Sequence, residues 1–228
     1  MKYKAVVFDL FGTLVDIYNR RRYYKLLEEM IVILSVPGDE FTRLWFDTAA
    51  QRGSGFFEST EDNIAYICRQ IGVPVDEEKV KESALLRLNS VRDAMIADRR
   101  AMDIVPYLKS EGYKVGLVSN CSPEAPIIWK ELPFARFFDT AVFSCLVGLR
   151  KPSPEIYRLA AERLGVEPGD CLYVGDGDDG ELDGAAETGM HPVLISDPEI
   201  SLEDTLRNEE LQWSGPVITS LKEVTSFL

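Results

Sequence analysis

The 228-residue sequence predicts an α/β fold, a doubly wound parallel sheet with a block of helices inserted after its first strand. Three observations carry this. Short apolar runs of strand length, at 5–8, 113–118, 171–174 and 191–195, alternate with stretches of helical periodicity. The interval between the first two runs, 16–97, reads as four helices with no convincing strand among them. Several runs end abruptly in polar residues, and in an open parallel sheet such ends lie on one edge, beside the ligand crevice.

The run 5–8 is apolar at every position, as in a strand covered on both faces, and it stops at Asp9 before a Gly12-Thr13 turn. The stretch 20–34 is a long amphipathic helix ending near Pro37-Gly38. Asp39 suits the N-cap of a second helix reaching Gln51, broken by Gly53-Ser54-Gly55. Ser59 and Thr60 can cap a third helix to Ile71-Gly72, and Asp76 a fourth to Ala97. From Ala101 a helix over 101–111 ends at Gly112 and leads into a strand over 113–118 that enters Ser119-Asn120. A helix at 124–132 precedes a short strand at 141–143. After Gly148 to Pro152, Ser153 is placed as N-cap and Pro154 as first residue of another helix. The strand 171–174 runs into Gly175-Asp176, a short helix reaches Ala185, and strands at 191–195 and 216–218 precede a tail helix. The stretch 197–215 is the least patterned and reads as a surface excursion.

Composition narrows the classes of function. Hydrophobic residues are 46% and charged residues 28%, an ordinary globular balance, while the net charge of −13 argues against a nucleic-acid partner. The first fifteen residues are too short to span a membrane and carry Asp9, so neither a signal peptide nor a membrane segment is expected. Cys68, Cys121, Cys145 and Cys171 are widely spaced with no CxxC, which suits reduced thiols in a cytoplasmic protein. His191 is the only histidine. Multi-histidine metal sites are thereby excluded, and a Ser-His-Asp or Cys-His triad would have to use His191.

The parallel topology draws Asp9 and Thr13, Ser119 and Asn120, Lys151, and Asp176 with its acidic followers toward one pocket. Two carboxylates a few ångströms apart repel by about 4 kcal/mol at an effective dielectric near 20. Mg²⁺ would offset that, since it takes oxygen ligands and needs only one or two protein carboxylates. With Lys151 and neutral hydroxyl donors, this set suits nucleophilic phosphoryl transfer through an aspartyl-phosphate. Taken singly, each feature has a plainer reading. Asp9 can cap a turn, the acidic run 176–183 can be a solvated loop at a helix N-terminus, Lys151 a surface lysine and Ser119-Asn120 turn chemistry. The run is not an EF-hand, because Glu181 stands where that loop needs glycine.

Asp9-x-x-Gly12-Thr13, Ser119-Asn120, Lys151-Pro152 and Gly175-Asp176 resemble, in order, the four motifs of the haloacid dehalogenase superfamily. The resemblance spans nearly the whole chain. It implies a Rossmann-like catalytic core over 1–15 and 98–228 and a small α-helical cap over 16–97. It also implies that Asp9 is the nucleophile, that Ser119 and Lys151 hold the transferring group with Thr13, and that Asp176 binds Mg²⁺. Glu181 falls where phosphatases of the family carry a second acidic residue toward the metal, and the Phe11 carbonyl where they carry a backbone ligand. Leu10, Phe11 and Asn120 would lie against the substrate. Arg52, beside the Gly-rich break and Phe56-Phe57, is the cap candidate for specificity. Trp45 and Phe46 read as core, Arg20, Arg21 and Arg22 as a solvated face, Cys121 as a small strand-end residue, and His191 is assigned no role.

The sequence departs from both branches of that family. Phosphatases carry a second Asp, a general acid and base, where this chain has Phe11; losing such a group costs about 10²–10⁴ in rate. An aromatic there is similar to the 2-haloacid dehalogenases, as are Ser119 to Pro123, Thr60-Glu61-Asp62 and Cys68-Arg69-Gln70. That branch uses no metal, has Ser and Asn in its fourth motif, and places an Arg just after a cap Trp, where this chain has Phe46. The carboxylates Asp176, Asp178, Asp179 and Glu181 favour the metal. The expected activity is therefore Mg²⁺-dependent hydrolysis of a small phosphate ester by a monomer or homodimer. The alternatives are a metal-independent 2-haloacid dehalogenase and a catalytically weak phosphate- and Mg²⁺-binding regulatory protein.

Overall fold

The computed structural model describes residues 2–15, 19–97, 101–196 and 213–228. Strand β1 (Ala5–Phe8) is followed by helices α1 (Arg20–Leu34), α2 (Gly38–Asp47), α3 (Ala49–Gly53), α4 (Thr60–Ile71) and α5 (Glu77–Ala97). Then come α6 (Ala101–Ser110), β2 (Lys114–Ser119), α7 (Glu124–Trp129), β3 (Thr140–Phe143), α8 (Ser144–Val147) and α9 (Pro154–Leu164). Strand β4 (Cys171–Gly175), α10 (Glu181–Thr188), β5 (His191–Ile195), β6 (Val217–Ile218) and a 3₁₀ turn over Leu221–Phe227 complete the order.

The six strands lie in the order β3-β2-β1-β4-β5-β6 and every pairing is parallel. The chain winds outward from β1 through β2 to β3, then crosses back to β4 on the other side of β1. The crevice of such a sheet opens where the winding reverses, at the carboxyl ends of β1 and β4. Register enforces this: Phe8 stands opposite both Leu117 and Val174, so the residues just past these strands come out level.

Strand alternation divides the core in two. Val6 and Phe8 point into a face shared with Val115, Leu117, Leu172 and Val174 and covered by Ile104, Val105 and Leu108 of α6. Ala5 and Val7 point the other way, toward Ile156, Tyr157 and Ala160 of α9 and Leu182 and Ala185 of α10. The inserted helices have a third core of their own, built around Leu27, Met30, Phe41, Trp45, Ile64 and Ile67. Among the described residues no helix is long and apolar enough to cross a membrane.

Several expected details are corrected. The helix expected from an Asp39 cap to Gln51 starts at Gly38, without a side-chain cap, and is interrupted at Thr48. There the hydroxyl donates to the carbonyl of Leu44 at 2.8 Å and also contacts that of Trp45, a back-bond that competes with the helix ladder. Helix α7 stops at Trp129 rather than 132, and the tail is 3₁₀. Ser153 sits at the N-cap of α9 but makes no capping bond. Ser59 and Asp76 do cap as expected, accepting from the backbone N–H of Asp62 and of Glu78. Of the surface excursion expected at 197–215, residues 197–212 lie outside those described.

Candidate active site

Asp9 follows β1 directly, and its backbone N–H donates to the Val174 carbonyl at 2.9 Å, tying it to β4. Asp176 follows β4, and Ser119 ends β2. The loop after β1 closes tightly because Gly12 adopts φ +79°, and a Cβ there would lie 1.9 Å from Asp176 Oδ2. Only glycine fits where that turn meets that carboxylate.

Lys151 is the hub. Its ammonium donates to Asp9 Oδ1, to Glu181 Oε2 at 2.5 Å, and reaches the Tyr173 hydroxyl at 3.5 Å. Asn120 fixes the loop that carries it: the side-chain carbonyl accepts from the Lys151 N–H at 2.9 Å and the amide donates to the Lys151 carbonyl at 3.0 Å. The Lys151–Pro152 peptide is cis. Glu181 is held by the Tyr173 hydroxyl at 2.6 Å and the Gly177 N–H at 2.9 Å, and its carbonyl accepts from the Tyr157 hydroxyl at 2.8 Å. Gly175 makes room, since a Cβ there would sit 2.1 Å from Glu181 Oε1.

One buried ammonium thus serves two buried carboxylates. Burial pushes the Asp9 carboxyl up to about 7, with Lys151 pulling it down and Glu181 pushing it further up. Burial alone would lower Lys151, but Asp9 and Glu181 outweigh it and hold the ammonium firmly protonated. Carboxylate oxygens of Asp9, Asp176 and Glu181 all lie within 4.8 Å of one another. An all-oxygen, buried, net-anionic set of this kind fits a hard divalent cation. The hydroxyls of Thr13, in the loop after β1, and Ser119, at the end of β2, are buried with no hydrogen-bond partner among the described residues. Buried polar atoms without a protein partner call for a ligand or water.

The cluster opens into a cavity of about 250 Å³ whose lining includes Phe11, Arg52, Asn120, Arg150 and Asp176. Sequence reasoning thus brought together Asp9, Thr13, Ser119, Lys151, Asp176 and Glu181 at the sheet edge, with Phe11, Asn120 and Arg52 around the cavity. Leu10 is different. Its side chain is in the core and its carbonyl accepts the N–H groups of Leu14 and Val15, so it shapes the loop without lining the cavity. Asn120 is likewise engaged with the protein, also donating to Asp179 at 2.6 Å.

Four residues at the site were missed. Tyr157 and Tyr173 hold Glu181; Tyr173 was signalled by being the one hydroxyl in the run 171–174. Arg87 and Arg150 face the cavity. Arg87 pairs with Glu124 at 2.8 Å, both buried, on helices whose contact no sequence pattern discloses. Arg150 adjoins the motif lysine.

These features define a hydrolase-type α/β crevice with a carboxylate nucleophile candidate. The chain belongs to the haloacid dehalogenase-like hydrolase family, whose model matches residues 3–189. It is 30% identical over 185 residues to an (S)-2-haloacid dehalogenase of Pseudomonas fluorescens, covering 75% of each chain. It is 29% identical over 203 residues to a glyceraldehyde 3-phosphate phosphatase of Methanopyrus kandleri, covering 84% of this chain and 83% of that one. A HAD family enzyme of Bacteroides thetaiotaomicron, solved with magnesium and inorganic phosphate, superposes with a TM-score of 0.65 at 18% identity, over 88% of this chain and 98% of that one.

Proposed function

We propose that the chain is a Mg²⁺-dependent hydrolase of small phosphate monoesters that acts through an aspartyl-phosphate on Asp9. In this reading residues 1–15 and 98–228 are the catalytic core and 16–97 the cap. The observation that carries it is the buried carboxylate trio of Asp9, Asp176 and Glu181, two of which, Asp9 and Glu181, share the single ammonium of Lys151. Mg²⁺ would be held by Asp9, Asp176 and the Phe11 carbonyl, where it supplies positive charge against the phosphoryl oxygens. Glu181 commits its oxygens to Lys151, Tyr173 and the Gly177 N–H, and so acts mainly by aiming the lysine.

The remaining chemistry belongs to the side chains. An Asp9 oxygen attacks phosphorus, the ester P–O bond breaks, and the leaving group departs as its oxyanion and takes a proton from water. Thr13, Ser119 and Lys151 bind the phosphoryl oxygens as charge shifts, and the two orphaned hydroxyls gain the partner they lack. Water then attacks phosphorus and Asp9 is released. Phe11 offers no proton to the departing alcohol, so esters with good leaving groups react fastest. The phosphatase relative and the magnesium- and phosphate-bound structural neighbour support this reading.

A second reading has specific support. Phe11 and the dehalogenase relatives favour attack of Asp9 on carbon of a 2-haloacid, with halide leaving and no metal. The test is a panel of phosphorylated metabolites, p-nitrophenyl phosphate and 2-chloropropionate, assayed for phosphate and chloride with Mg²⁺ or EDTA. Phosphate release that EDTA suppresses is expected; chloride release indifferent to EDTA would establish the second reading instead. Asp9→Asn should abolish turnover, and retained activity would point to another nucleophile.

A further inference from the structure

All four cysteines are free thiols, and two of them meet at the edge of the candidate site. Cys121 comes two residues after the end of β2 and Cys145 lies in α8; their sulfurs are 3.8 Å apart and both side chains are buried in the same core. Cys68 belongs to the core of the inserted helices and Cys171 to the opposite face of the sheet, so neither can join this pair. The proposed hydrolysis uses no thiol.

The pair is within reach of small solutes. Cys121 lines the cavity that also holds Phe11, Asn120 and Asp176. Its hydrogen bond to the Cys145 sulfur favours a thiolate there and holds that thiol below the ordinary cysteine range, while burial pushes the Cys121 thiol up. The surroundings couple the pair to the site. The Cys121 N–H donates to the Ser144 hydroxyl at 2.9 Å, tying the residue after Asn120 to the residue before Cys145. Asn120 in turn holds the Lys151 loop through both ends of its amide. On the other side, the Cys145 carbonyl packs against Gly55 of the inserted block, where a Cβ would lie 2.5 Å from it. Movement at either sulfur therefore reaches the lysine loop or the contact between α8 and the inserted helices.

We propose that Cys121 and Cys145 form a site of reversible oxidation, closed to a disulfide by a small hydroperoxide and reopened by a dithiol, and that closure slows turnover. The Cys145 thiolate attacks a peroxide oxygen; an S–O bond forms, the O–O bond breaks and hydroxide leaves. That hydroxide takes the Cys121 proton, and the Cys121 sulfur displaces a second hydroxide from the sulfenic acid to form the S–S bond. The second hydroxide takes up the proton that Cys145 had released. With hydrogen peroxide, two thiols and one peroxide give one disulfide and two waters, sulfur being oxidised and peroxide oxygen reduced. Closure brings the sulfurs from 3.8 Å to about 2 Å within a packed core. A shift on the order of 1 Å in a positioning loop costs up to about 10²-fold in rate.

The test uses the whole protein, reduced and then exposed to a small excess of hydrogen peroxide. Trypsin places the two cysteines on separate peptides, 115–130 and 137–150. A disulfide joins them into one species two hydrogens lighter than their sum. That species should form under peroxide and vanish with dithiothreitol, with Cys68 and Cys171 left unlinked. Turnover should fall about tenfold or more on oxidation and return on reduction, whereas Cys145→Ala should keep its turnover in peroxide. Cys145→Ser serves where the alanine variant folds poorly. Turnover is read as phosphate from p-nitrophenyl phosphate or chloride from 2-chloropropionate, whichever the reduced protein releases. Where it releases neither, calorimetric binding of inorganic phosphate in Mg²⁺ takes its place, so the outcome is separate from that of the proposed reaction. Thiols that stay free, or pass to sulfinic acid without the link, overturn the proposal. So does a link that leaves the site unaffected, or equal inactivation of the Cys145 variants.

Discussion

A single ammonium shared by two buried carboxylates makes Lys151 the most exposed point of the site energetically. Removing one member of a buried ion pair typically costs about 3–5 kcal/mol, because the remaining charge is left desolvated. Lys151→Met should therefore lower the unfolding free energy of the metal-free protein by about that amount, measured by urea denaturation. Added Mg²⁺ should recover part of the loss, since it would answer the same uncompensated charge. The Asp9 carboxyl gives a second handle. With its pKa pushed up to about 7 from the ordinary aspartate value, chiefly by burial, the folded chain binds more protons than the unfolded chain between those values. Stability of the metal-free protein should then fall as pH rises through that window. The stabilisation by Mg²⁺ should grow over the same window, because the ion needs the charged carboxylate. Melting curves in EDTA and in Mg²⁺ across this range check both signs. Phe11→Asp is the complementary change: it should raise kcat on alkyl phosphates by more than on p-nitrophenyl phosphate, whose leaving group needs no proton. Equal gains on both would count against a missing acid.

Glu124 joins three elements. It begins α7, accepts from the Thr60 hydroxyl of α4 at 2.8 Å and pairs with Arg87 of α5, so the inserted helices are pinned to the sheet-bearing part through one buried carboxylate. Burial alone would raise its pKa, but Arg87 and the Ser122 and Thr60 hydroxyls hold it below the usual glutamate range. A depressed carboxylate contributes stability above its unfolded pKa and loses it as pH falls through the folded value. Glu124→Gln should therefore flatten the acid limb of the stability profile below about pH 4.5, read by fluorescence of the tryptophans. Legibility in the sequence follows the same division. Strand runs and Ser59 and Asp76 caps were readable because their signals are local. The break at Thr48 was not, since its hydroxyl also accepts from Arg52 and Asn63, partners that only packing supplies. The acidic and basic site residues were readable because parallel topology sends strand ends to one edge. Arg150, Tyr157 and the Glu124 contact were not, because nothing in spacing tells which way a loop or helix side chain turns.

The chain as a whole carries a net charge of −13, yet the proposed substrate is an anion and the proposed metal a cation. The far field therefore opposes one ligand and favours the other, while Lys151, Arg52 and Arg150 act only once the anion is within the cavity. Salt separates these ranges, because the Debye length shrinks from about 20 Å near 20 mM to under about 10 Å near 200 mM. Across that interval the long-range repulsion of a phosphate ester is screened, whereas contacts inside a buried cavity are screened far less. At saturating Mg²⁺, KM for p-nitrophenyl phosphate should fall about twofold or more as salt rises, while the apparent Kd for Mg²⁺ should increase. Potassium acetate is the suitable salt, because its anion competes weakly with phosphate. The opposite dependence for the ester, KM rising with salt, would mean that a positive local field extends beyond the cavity mouth and dominates capture. The arginines that line the cavity would then be steering the ligand from solution, and Arg150→Gln should weaken that salt dependence.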